Sequence, residues 1–162
     1  MVASQPLNVS VRHPLRKAEA MSEIGPGSSS IVRDNEAAAA RAIEEQNHLQ
    51  AYFLVHTLVE SLLRAFLQED REVKFSSLID GYKRFLAEQY YPAPTFVKEL
   101  TEFNKRRNRI VHQLWRRGFS FTNKQAEPAA RAAVTMYALL IEWLETFDPE
   151  IIKLGFEYDG GA

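Results

Sequence analysis

The chain has no cysteine. Disulfides, thiolate metal sites and cysteine nucleophiles are therefore all excluded. Glycine and proline are sparse, at seven each in 162 residues, and neither occurs between positions 28 and 80. No window reaches the roughly 18 apolar residues of a membrane-spanning helix. The N-terminal MVASQPLNVSVRHPLRK lacks the uninterrupted apolar core of a secretory signal. There is no phosphate-cradling glycine loop, nucleophile elbow or dinucleotide-binding fingerprint. What is left is an ordinary globular composition, 46% hydrophobic and 25% charged, of one-domain length. A soluble, cytoplasmic protein with no membrane partner is expected.

Metal chemistry also finds little support. Glu45-Gln46-Asn47-His48 is a Glu-x-x-His unit of the kind found in di-iron bundles. Those sites need two such units and two further glutamates, and this chain offers one. No metal and no cofactor are expected.

Net charge is small overall, and positive charge is concentrated locally. The net charge is −1, yet Lys105, Arg106, Arg107, Arg109, Arg116 and Arg117 all fall within Phe103 to Arg117, a stretch with no acid. A basic patch on a mildly acidic body suits local attraction of phosphate better than bulk coating by nucleic acid. The simpler alternative is a solvated basic helix face.

Apolar spacing predicts an all-α fold, a four-helix up-down bundle with short connections. Residues 1–34, punctuated by Pro6, Pro14 and Gly25-Pro26-Gly27, read as an irregular N-terminal arm, with Leu7 to Val11 as a short strand candidate. The helical domain is expected over 35–162. Its first helix is read as a single element from Asn35 to about Asp70, and its second runs from about Ser76 to Tyr90. The third opens near Thr95 and ends at Arg117, where Gly118 offers a C-cap. Phe119 to Asn123 is read as a loop, with Thr122 and Gln125 resembling a capping box for a fourth helix that reaches Thr146. Pro128 leaves open a later start for that helix. A short helical piece follows Asp148-Pro149, and Gly160-Gly161-Ala162 reads as a frayed end.

The third helix carries the chemistry. At ~100° per residue, with Phe96 set at zero, Leu100, Phe103, Ile110, Val111 and Leu114 form one apolar stripe. Arg107 falls at roughly 20° on the same scale, in the middle of that stripe, so its guanidinium needs either a partner or an opening. Asn108 and His112 are an i, i+4 pair on the flank, with Asn104 and Trp115 near them. His56 lies on the stripe of the first helix with Glu60 at i+4 and would border the same cleft if the two helices pack together.

Arg107-Asn108-Arg109-Ile110-Val111-His112, on the penultimate main helix of a small all-α chain, resembles the motif of HEPN domains. That motif is Arg followed by a polar residue, with four to six residues between the Arg and a His. The resemblance covers 35–154. It implies a homodimer whose paired motifs line a shared cleft, and a metal-independent endoribonuclease of the kind found in toxin–antitoxin or antiviral systems. By position, Arg107 and His112 would be the catalytic pair and Asn108 the orienting residue. Lys105, Arg106, Arg109 and Arg116 would hold the RNA backbone. Glu60, His56, Asn104 and Trp115 would border the cleft. Leu114 stands where HEPN toxins paired with nucleotidyltransferase antitoxins commonly carry Tyr, so an antitoxin partner of that type is not implied. Two rivals stay open: a HEPN-like module that binds RNA or nucleotide without cleaving it, and an α-helical adaptor in which Arg107 is ion-paired with Glu60 or Glu102.

Overall fold

The computed structural model describes residues 25–91 and 93–153. The strand candidate, most of the expected N-terminal arm and the C-terminal end expected to fray lie outside the described residues. Within them every regular element is helical: α1 (Gly25–Glu44), α2 (His48–Leu67), α3 (Phe75–Glu88), α4 (Val97–Arg117), α5 (Phe119–Gln125), α6 (Glu127–Glu145) and a 3-10 turn (Pro149–Lys153). None of the described helices is long and apolar enough to cross a membrane.

The fold is all-α, as the spacing predicts, but three boundaries differ. First, helix begins at Gly25, so residues 25–34 belong to α1 and not to an irregular arm. Pro26 sits in the first turn, where a missing N–H costs nothing.

Second, the single helix expected from Asn35 to Asp70 is two. Gln46 adopts a left-handed conformation (φ 58°), and Asn47 N–H reaches back to the Ala42 carbonyl at 2.8 Å, which closes α1 with a Schellman-type turn. Asn47 then caps α2, its side chain accepting from Gln50 N–H at 3.2 Å. The corner is held from outside by Asn123, which donates to the Gln46 carbonyl and accepts from Leu49 N–H, both at 3.0 Å.

Third, the segment read as a loop, Phe119 to Asn123, is α5. Thr122 is buried inside it and caps nothing, and α6 starts at Glu127 with Pro128 in its first turn.

The central element is α2. Its Leu49, Tyr52, Val55, Leu58, Val59, Leu62, Leu63 and Phe66 are all buried, and it packs against α1, α3, α4, α5 and α6. A helix that is apolar around most of its circumference has to be enclosed in this way. Two contacts fix the elements that flank the site. Tyr52 buries its hydroxyl against the Phe103 carbonyl of α4 at 2.6 Å, and burial pushes its pKa up. Arg64 reaches from α2 to the carbonyls of Arg71 (2.6 Å) and Val73 (2.8 Å), which ties the loop before α3 to α2.

Candidate functional site

α4 is built with one buried edge and a wide exposed basic face. Leu100, Phe103 and Ile110 are buried and Leu114 is half-buried. Val111, expected in the same stripe, is 43% exposed instead. Arg107 is exposed as well, having met an opening in place of a partner.

The carboxylates offered as partners are engaged elsewhere. Glu60 pairs with Arg64 at 3.0 Å, and Glu102 lies 3.8 Å from Lys105 and 4.0 Å from Arg109. The Glu102 pairs are exposed and long, so they add little to stability. Farther along, the Arg117 guanidinium sits 4.4 Å above the Phe121 ring.

The opening at Arg107 is a cleft of about 550 Å³ between α2, the start of α3 and α4. From α2 come Phe53, His56, Thr57 and Glu60, and from α4 come Asn104, Arg107 and Asn108. Lys74, Phe75 and Ser76 close the third side. Five residues singled out in the sequence thus meet here: His56, Glu60, Asn104, Arg107 and Asn108. Phe53, Thr57, Lys74, Phe75 and Ser76 gave no signal in the sequence, because only the packing of α3 against α2 and α4 brings them to the site.

His112 lies elsewhere. It is exposed and borders a separate shallow groove with Arg109, Gln113, Arg116 and Arg117. Helix geometry accounts for the separation: five residues turn the side chain by roughly 140° relative to Arg107. Trp115 borders neither depression and is 83% exposed, while Lys105 and Arg106 are exposed outside both.

At the cleft floor, His56 is 5% exposed and lies between Phe75 (ring centroids 4.6 Å apart) and Phe103 (5.0 Å, stacked). Burial, assisted by the nearby Arg107 charge, lowers its pKa from 6.5 to about 4, while Asn104 and Glu60 act in the opposite direction. The ring is therefore neutral at physiological pH. Its Nε2 atom is buried with no hydrogen-bond partner among the described residues. Those residues contain no group of three or more His, Asp or Glu side chains placed to hold a metal ion, and Glu45 and His48 fall at the α1–α2 corner.

Compared with known proteins, the chain matches no family model, no curated protein and no solved structure. A functional reading therefore rests on the residues of α4 and their surroundings.

Proposed function

We propose that the protein is a metal-independent endoribonuclease of HEPN type that works as a homodimer and binds RNA along the exposed face of α4. The observation that carries this reading is the state of the motif side chains: Arg107, Asn108 and His112 are all exposed, and no ion pair among the described residues occupies Arg107 or His112. The adaptor reading needs Arg107 held by Glu60 or Glu102, and both of those carboxylates serve other cations.

The chemistry follows from the residue types. His112 supplies an imidazole as the proton shuttle. Arg107 supplies a permanently charged, bidentate donor for a pentavalent phosphate. The reaction is attack of a ribose 2′-OH on the adjacent phosphate, releasing the 5′-hydroxyl of the next nucleotide and leaving a 2′,3′-cyclic phosphate. Because Arg107 and His112 diverge on one helix, a second copy facing α4 is needed to set Arg107 of one chain against His112 of the other. Val111 and Trp115, exposed apolar residues beside the motif, suit that contact. Arg106, Arg109, Arg116 and Lys105 would hold backbone phosphates without reading sequence. A role as a toxin or antiviral effector, with a cognate antitoxin or other regulatory partner, fits such an activity.

The test is cleavage of an end-labelled single-stranded RNA in EDTA by wild type, His112→Ala and Arg107→Ala. Wild type is expected to leave 2′,3′-cyclic phosphate ends, with each variant slower by about 10²-fold or more. Equal cleavage by wild type and His112→Ala would remove the proposal. Binding without cleavage would favour the non-catalytic module, a reading supported by the placement of Arg107 and His112 in separate depressions.

A further inference from the structure

The cleft that holds Arg107 has features which RNA cleavage at His112 does not use. It is lined on one side by the first residues of α3, and that helix starts without a side-chain cap and with no acid in its first turn. The leading N–H groups of a helix have no intrahelical acceptor and carry the positive end of its dipole. Such a terminus favours an anion. By itself it would signify little, but His56 gives an independent indication. His56 lines the same cleft, and its buried Nε2 has no hydrogen-bond partner among the described residues. An orphaned polar atom at the floor of a cavity is a place for a ligand hydrogen bond.

We propose that this cleft binds a small phosphomonoester, its phosphate seated between the N-terminus of α3, Lys74 and Arg107. The charge balance favours a dianion. Lys74 and Arg107 contribute two positive charges, whereas the charge of Glu60 is offset by Arg64 at 3.0 Å. A bridging phosphodiester carries one negative charge and would leave the site under-neutralised. The Ser76 and Thr57 hydroxyls and the Asn104 and Asn108 amides provide neutral hydrogen-bonding groups around the cations. His56 contributes a hydrogen bond from an uncharged ring. A volume of about 550 Å³ is adequate for a molecule of mononucleotide size.

The site shares Arg107 with the proposed nuclease but does not depend on His112, so the two readings can fail separately. The experiment is titration of the ¹⁵N-labelled full chain with inorganic phosphate, 5′-AMP, adenosine, and the dinucleotide ApA with and without a 5′-phosphate. Phosphate and 5′-AMP are expected to saturate and to move the amides of Phe75 and Ser76 and the His56 ring nitrogens. Adenosine and ApA are expected to do neither. Comparable binding of 5′-phosphorylated ApA and 5′-AMP would assign the site to the phosphate end of either a strand or a free molecule; preference for 5′-AMP would assign it to the free molecule.

Ser76 is exposed in the first turn of α3, where an acid is compatible with the helix. Ser76→Glu is therefore expected to fold normally and to bind 5′-AMP at least about tenfold more weakly through charge repulsion. His112→Ala is expected to bind 5′-AMP as wild type does. Equal binding of ApA and 5′-AMP, unchanged binding by a folded Ser76→Glu, or no saturation by roughly 10 mM ligand would each overturn the proposal.

Discussion

Protonation of His56 provides a quantitative test of the packing between α2, α3 and α4. In the folded chain its pKa falls to about 4, chiefly through burial and then through Arg107; in the unfolded chain it returns to about 6.5. The groups around it are Glu60 on its own helix, Lys74 at the start of α3, and Asn104 and Arg107 on α4. Below pH 6.5 the unfolded chain binds the proton and the folded chain does not, so stability falls as the pH falls. The contribution is fully present above about pH 6.5 and is lost progressively towards pH 4. Linkage gives a loss of about 2 kcal/mol at pH 5 and about 3 kcal/mol once both forms are protonated. Carboxylates titrate in the same range, so the measurement has to be a difference. Urea unfolding of wild type and His56→Gln at pH 7.0 and pH 5.0 supplies it, since Gln preserves polarity without titrating. Wild type is expected to lose about 2 kcal/mol more than the variant over that interval. Equal losses would show that His56 is protonated without penalty, and the account of a buried ring close to the Arg107 charge would be wrong.

Two further outcomes follow from the geometry. Asn123→Ala removes the two hydrogen bonds that brace the α1–α2 corner from outside, each 3.0 Å long, one part-buried and one exposed. A loss of about 1–2 kcal/mol is expected in urea unfolding, and no loss would mean that Gln46 and the Asn47 cap hold the turn without help. Trp115→Glu places a charge on a residue that is 83% exposed, so the fold is expected to survive while a dimer built on α4 dissociates. Sedimentation equilibrium decides this, and a wild type that is already monomeric at tens of micromolar would dispose of the dimer.

Some of the site was legible because it depends on a single helix. The cationic run of α4 is local, and charged side chains are seldom fully buried unless paired. Pairing Arg107 with His56 required knowledge that α4 lies along α2. That contact is set by Tyr52 and Phe103 packing 51 residues apart in the chain. The α1–α2 corner left no trace for a related reason: the residue that turns left-handed is Gln46, not a glycine, and its conformation is held by Asn123 from far along the sequence. Similarly, α5 forms in a stretch of aromatic and hydroxyl residues with modest intrinsic helical preference, where burial of Thr122 and packing against α4 and α2 outweigh propensity.

The sequence by itself determined the all-α class, the helical identity of α2, α3, α4 and α6, and the exposed cationic face of α4. Periodicity and charge are properties of each segment alone. The tertiary structure decided where the long first helix breaks and that Arg107 opens into a cleft floored by His56. Each of these depends on which surfaces meet, and burial between distant segments has no signature in the spacing of either one.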